Sequence, residues 1–338
     1  MNTRNKFLDL IKWLACFLVI VIHTKGFGVA YEYELALTRW AVPFFFTLTG
    51  IYFFKNDLST ENIRVQAKNK TIKYLKLLLI VDFVYLYYSL IWYLCTGFTI
   101  QEWLKLKFSL PAIINWLLNW TLIKDNSNYI LHLWYLVAVI KSCIVIYIFA
   151  PVFKSMYKLI TLILLFFLYI TNYFYSSQLT SIHFNWWLIG LPFILLGVIF
   201  SEYISTNIDK LSEKERLLWQ LKTKYIAGSM LFIGIIITYI EVYFLGEREI
   251  YLGSLIITIC VLFLSECDIH TIKLMDITAP IYFYHVLVLD MVLCYIPEIV
   301  WYKPILIFII CVIIFGVLSK LKGVYYGRKR KKVHTFNG

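Results

Sequence analysis

His23 lies near the end of the first long apolar segment of the chain, and Lys12 precedes it by eleven residues on that segment. Eleven residues make about three turns of an α-helix, so both side chains leave the same face. A neutral imidazole set against a hydroxyl takes its proton as the oxygen attacks, or is itself acylated and passes the group on. A cation about 16 Å away along the helix, at 1.5 Å per residue, attracts an anionic group. A charged side chain at the middle of a membrane helix costs about 2.5–3.5 kcal/mol, so such residues usually face a polar interior and act there. Asp9 stands three residues before Lys12 and can pair with it, which is the plain structural account of that lysine.

Two further ionisable residues belong at the depth of His23: Arg39, near the start of the second apolar segment, and His132, near the start of the fourth. His132 suits orienting His23 or stabilising an oxyanion, and Arg39 suits the latter. The segment from Gly97 to Asn128 carries Trp116 and Trp120 beside Asn115 and Asn119, and aromatic faces next to amides suit a sugar. Its blander reading is a short re-entrant helix after Pro111, anchored by interfacial tryptophans. For Asp82, Lys141, Glu241, Glu266, His285 and Asp290 the order of residues offers no pairing, and a lone membrane histidine such as His285 is commonly a hydrogen bonder between helices. Seven cysteines without a C-x-x-C pair read as small apolar packing residues, so neither a metal site nor a disulfide framework is expected.

The elements that must position these groups follow from composition. With 61% hydrophobic and 15% charged residues, the chain could not cover itself with polar surface in water. Apolar stretches near 8–29, 35–54, 74–96, 129–150, 158–176, 185–204, 225–246, 250–267, 277–297 and 300–320 predict an all-α, multi-pass membrane protein of about ten spans. Placing both termini in the cytoplasm puts most of the 32 basic residues on one side, including Arg64 to Lys73, Lys210 to Lys224 and Arg328 to Lys332. The net charge of +12 is thereby explained by topology and by attraction to anionic lipid, and nucleic acid need not be invoked. Asp9 and Lys12 interrupt the first segment and no small-residue cleavage site follows, so an uncleaved span is expected rather than a signal peptide. Residues 207–225, with Leu211, Leu218, Trp219 and Lys222, predict a charged amphipathic helix on the cytoplasmic membrane face. One membrane domain fills residues 1–338, with a basic tail over 321–338.

Several motifs resemble one family in order along nearly the whole chain. On the first span the pattern is Asp9-Leu-Ile-Lys12, ten residues, His23. It is followed by Arg39-Trp-Ala-Val-Pro43-Phe-Phe-Phe46 through Gly50, then His132-Leu-Trp134-Tyr-Leu136. Gly190-Leu-Pro192-Phe193 through Gly197 and Pro280-Ile-Tyr282-Phe-Tyr-His285 complete the set. Together they resemble the integral-membrane acyltransferase-3 superfamily, in which an arginine usually stands where this chain has Lys12. The resemblance implies transfer of an acyl group, usually acetyl, from cytoplasmic coenzyme A thioester to a hydroxyl, often of a cell-surface glycan. It implies a bacterial-type plasma membrane, no bound cofactor beyond acetyl-CoA as co-substrate, and catalytic roles for His23, Lys12, His132 and Arg39. Lys12 and Asp9 would lie on the path of the donor, and Trp134, Trp116 and Trp120 on that of the acceptor. Lysine keeps the charge but not the bidentate fork that arginine offers a phosphate. Homo-oligomerisation stays open. The rival is a carrier or exporter of a small solute or polysaccharide, because the Ala-Val-Pro-Phe-Phe-Phe stretch also resembles the membrane half of amino-acid racemase fusions. Against it, no matched halves are visible. A passive assembly protein of a glycan-synthesis machine is the third alternative.

Overall fold

The structure, a computed structural model, describes residues 5–28, 31–53, 58–119, 133–174, 186–272, 274–296 and 300–334. Among the described residues the secondary structure is helical throughout, with no strand. In chain order the helices are α1 (Lys6–His23), α2 (Tyr31–Thr38), α3 (Ala41–Ile51), α4 (Thr60–Cys95), α5 (Ile100–Phe108), α6 (Leu110–Asn119), α7 (Trp134–Ile148), α8 (Ala150–Phe174), α9 (Leu191–Tyr203), α10 (Glu213–Leu245), α11 (Leu252–Ser265), α12 (Thr278–Leu293) and α13 (Lys303–His334). Wider π-turns, Trp186–Gly190 and Ile204–Ile208, extend α9 at both ends. Among the described residues five helices are long and apolar enough to cross a membrane: Thr60–Cys95, Ala150–Phe174, Trp186–Ile208, Glu213–Leu245 and Lys303–Leu321. Three shorter apolar helices are Trp134–Ile148, Leu252–Ser265 and Thr278–Leu293. On the long helices large apolar side chains often point outward, Phe83 of α4 at 67% and Phe166 of α8 at 62% exposure, a surface that suits lipid and not water.

The chain divides into two compact units, Met1–Thr38 with Ile269–Gly338, and Arg39–Asp268. In the first, α1 begins where the Asn5 side chain accepts the Leu8 amide at 2.9 Å, and it ends at Thr24, whose hydroxyl donates back to the Ile20 and Val21 carbonyls. Lys25 and Gly26 then adopt positive φ, 61° and 73°, and turn the chain toward α2, where the Glu34 carboxylate accepts the Phe27 amide. α1 packs on α12 and α13: Trp13 and Phe17 meet Phe308 edge-on at 5.9 and 5.2 Å between ring centres.

In the second unit, glycines set the closest helix approaches. Gly50 of α3 lies against the Ile194 carbonyl and the Gly197 Cα of α9, and Gly197 lies in turn against the Thr47 carbonyl, so neither position has room for a Cβ. Gly253 of α11 likewise touches Thr238 and the Gly234 carbonyl of α10. Glu241, for which sequence suggested no partner, accepts the amides of Leu252 and Gly253 at 2.9 and 3.0 Å and caps α11, placing a carboxylate at the positive end of that helix.

Three boundaries differ from expectation. The segment 35–54 is not one helix but α2 and α3, interrupted at Arg39–Trp40, because Pro43 lacks an amide and its ring clashes with the carbonyl four residues earlier. The helix expected from residue 74 begins at Thr60, capped by Ser59, so the basic run Arg64 to Lys73 is already helical. The amphipathic stretch 207–225 is not a separate helix: Ser212 and Glu215 form a capping box, and α10 runs unbroken to Leu245, since nothing between them stops a helix.

Candidate functional site

Three contacts lock α1 to the segment of α12. The Trp13 indole Nε1 donates to the Met275 carbonyl at 3.0 Å, and the Cys16 thiol donates to the Thr278 carbonyl at 3.3 Å. Both pairs are 262 positions apart in sequence. The third contact keeps that offset: the rings of His23 and His285 stand 5.1 Å apart between centres, tilted by 47°. A constant offset means that the two helices run parallel and in register, rising together by about 10.5 Å over the two turns from Cys16 to His23. His285 is 1% exposed, and its Nδ1 lies 3.1 and 2.8 Å from the Ile281 and Tyr282 carbonyls of its own helix. Carbonyls only accept, so Nδ1 carries the hydrogen and, in the neutral ring, Nε2 carries the lone pair. His23 is half-buried at the last turn of α1.

At the other end of the same face, Lys12 Nζ lies 3.4 Å from Asp9 Oδ1, and the side chains are 22% and 6% exposed. The structural pairing anticipated for Lys12 is therefore formed. An ammonium has three N–H donors, so this contact leaves the charge able to meet a second anion. The structure thus brings His23 to His285 and Lys12 to Asp9.

Arg39 and Trp134 belong to the second unit. Arg39, with 10% of its side chain exposed, donates through Nη1 to Glu249 at 2.7 Å and through Nη2 to Glu247 at 3.1 Å. Its guanidinium is bound by these two carboxylates, and the oxyanion role suggested by sequence is a separate matter from that pairing. Trp134 opens α7 and packs on Phe46 at 5.5 Å between ring centres. His132, Trp120 and the Trp116 side chain lie outside the described residues. Among the described residues no group of three or more His, Cys, Asp or Glu is disposed to hold a metal ion.

A family model described as an acyltransferase domain matches residues 5–320. The chain belongs to the acyltransferase-3 family. No curated protein and no solved structure matches it. Membership makes this a membrane acyltransferase by family, and the His23 face of α1 lies inside the matched region.

Two features of the acyltransferase escaped the sequence. The imidazole packed against His23 comes from His285, read from sequence as a hydrogen bonder between helices, and nothing in the order of residues pairs the two. A second polar cluster joins α3, α4 and α7: the Thr49 hydroxyl meets Tyr135 Oη at 2.9 Å and Tyr74 Oη at 3.5 Å, with the Lys70 ammonium 5.2 Å from the centre of the Phe53 ring. No spacing along the chain announces that grouping, because its members come from three helices.

Proposed function

We propose that this acyltransferase moves an acyl group, acetyl foremost, from coenzyme A thioester on the cytoplasmic side to a hydroxyl of a surface or exported glycan, with His23 as the base. The observation that carries the reading is His23 itself: a half-buried imidazole on a helix of a membrane acyltransferase, backed by a second, buried imidazole at 5.1 Å. A hydroxyl is a weak nucleophile at neutral pH, and an imidazole near it can take its proton as attack begins. Lys12 lies about three turns and Asp9 about four turns away, where the charge of Lys12 would meet the anionic donor entering from the other side of the bilayer. The parallel course of α1 and α12 is compatible with the ten-span reading and does not bear on which side the termini lie. Two parallel spans need an odd number of crossings between them, and that reading has seven.

The test is acetyl-coenzyme A turnover by the purified protein in lipid, with extracts of the host's surface glycans as acceptors. Removing a general base typically costs 10²–10⁴-fold in rate, so His23→Ala should leave almost no transfer. A wild-type protein that neither transfers nor hydrolyses, yet moves solutes into sealed vesicles, would replace the enzyme reading by transport.

A further inference from the structure

We propose that a groove between α10 and α11 holds one acyl tail of an anionic glycerophospholipid, whose phosphate meets Arg216. The groove lies wholly within the second unit, and neither acyl transfer nor the His23 face is needed for it. α10 and α11 run antiparallel and are fastened at two levels. At one, Gly253 lies against Thr238 and the Gly234 carbonyl. At the other, the Gln220 side-chain amide donates to the Glu266 carbonyl at 3.1 Å, and the Lys224 ammonium to the Asp268 carbonyl at 2.6 Å. Between these fastenings, beside Tyr203 of α9, lies a cavity of about 340 Å³, large enough for a small molecule or a lipid tail. Ile226, Ala227 and Met230 of α10 and Ile256 and Ile259 of α11 give it apolar walls. Ile226 is 64% and Met230 39% exposed, so the cavity opens sideways to the surroundings of the helices.

Three observations choose the occupant. The first is length: from Trp219 to Met230, both on the wall, α10 rises about 16 Å at 1.5 Å per residue, close to half of the roughly 30 Å hydrocarbon core and so to the reach of one leaflet's tail. The second is polarity. The polar-tipped Trp219, Thr223 and Tyr203 line the end nearer the basic run, whereas Met230 and Ile256 line the other, so an amphipathic ligand turns its head toward the cations. The third is charge. Arg216 precedes Trp219 by three residues and Thr223 by seven, which places it on the same face of α10, exposed and one turn beyond the groove. Lys222 flanks that face. The acid toward Arg216 from α11 is Glu266, yet among the described residues Arg216 closes no ion pair, and Glu215 is taken up by the Ser212 amide and hydroxyl. A guanidinium so placed meets a phosphate through two N–H groups. A zwitterionic head would bring a cation of its own against Arg216 and Lys222.

The test places the full chain in phosphatidylcholine vesicles that carry a trace of phosphatidylglycerol with a diazirine in its tail, or the same trace of diazirine-tailed phosphatidylcholine. After illumination, lipid adducts are mapped by mass spectrometry. Residues 226–230 and 256–260 should label about fivefold more from the anionic tracer than from the zwitterionic one. The peptide around Phe166, on the lipid-facing surface of α8, should label alike from both. Arg216→Gln, an exposed change outside the cavity, should bring the ratio at the groove close to one and leave Phe166 as it was. Ala227→Phe and Ile259→Trp fill the groove from opposite walls, and each should abolish the groove adducts while unchanged labelling at Phe166 reports an intact fold. A wild-type ratio near one, or a preference that survives Arg216→Gln, would reduce the groove to ordinary lipid-facing surface and overturn the assignment. Groove adducts displaced by palmitoyl-coenzyme A, with those at Phe166 unchanged, would overturn it in favour of the tail of a thioester. Each readout is independent of turnover, so a protein without acyl transfer can still pass this test and an active one can still fail it.

Discussion

The Cys16 thiol donates to the Thr278 carbonyl at 3.3 Å, and seven residues further along each helix His23 meets His285. This step of seven, repeated on both helices, turns two segments at opposite ends of the chain into one parallel pair. It also gives the histidines an address: their approach follows from contacts two turns below them.

The register is open to direct test. Thr278→Cys places a second thiol beside Cys16, so mild oxidation of the protein in lipid should link Cys16 to position 278, read as a cross-linked peptide by mass spectrometry. Asp290→Cys, more than three turns further along α12, should give no link to Cys16. A link to position 290, or none to 278, would contradict the parallel register.

The glycine contact between α3 and α9 predicts a contrast. Gly50→Ala would drive its Cβ into the Ile194 backbone, which cannot rotate away as a side chain can, so the helices must part. The expected loss lies at the upper end of the roughly 1–3 kcal/mol seen for overpacking. Gly228→Ala on α10 meets nothing within 4 Å, and there the better helix propensity of alanine should stabilise by about 0.5–1 kcal/mol. Thermal unfolding in detergent should move in opposite directions for the two variants.

Arg39 carries a prediction about geometry rather than charge. Its two nitrogens reach two different carboxylates, Glu247 and Glu249, which are 39% and 26% exposed. Arg39→Ala should destabilise by about 1–3 kcal/mol, the partial exposure of the acids holding it below the cost of breaking a fully buried pair. Arg39→Lys should recover less than half of the loss, because an ammonium cannot span both acids as the fork does. An Arg39→Lys protein as stable as wild type would show that the charge alone matters.

How far the sequence carried can be judged at particular residues. Pro43 marked the break between α2 and α3, and its family-like setting was visible, yet the order of residues left the segment looking like one apolar span. Ser212 and Glu215 spell a capping box, but hydropathy drew attention to the span start some thirteen residues later. Gly50 and Gly197 stood within the family-like motifs, but their contact with one another follows only from the packing of α3 on α9. His285 and the acids that bind Arg39 were not legible in their roles. Each is separated from its partner by more than 200 positions, and only the packing of helices brings such residues together.

Acid pH should loosen the start of α5. The Glu102 carboxylate accepts the Thr99 amide and hydroxyl, both at 2.8 Å, and these bonds hold it below its usual carboxylate range, the amide contributing most. A depressed folded value means that the stabilisation is fully present above the ordinary glutamate range, about 4.3, and disappears as pH falls through the depressed value. Amide exchange at the start of α5 should therefore lose protection on acidification in wild type. Glu102→Gln should show weaker protection at neutral pH and little further change, and an acid-insensitive wild type would remove the carboxylate from this cap.

Lys12 stands where an arginine usually stands in the family it resembles, and its contact with Asp9 makes two consequences separable. Lys12→Met leaves the 6% exposed Asp9 side chain without that cation, which should lower stability by about 1–3 kcal/mol, while adding Asp9→Asn should return part of the loss. If the lysine also meets the anionic donor, the double variant should regain stability without regaining donor affinity. Lys12→Arg should then keep the fold and lower KM for acetyl-coenzyme A, since a guanidinium binds phosphate in two-pronged fashion. A double variant that recovers both stability and KM would confine Lys12 to the pairing with Asp9 and leave the donor to be held elsewhere.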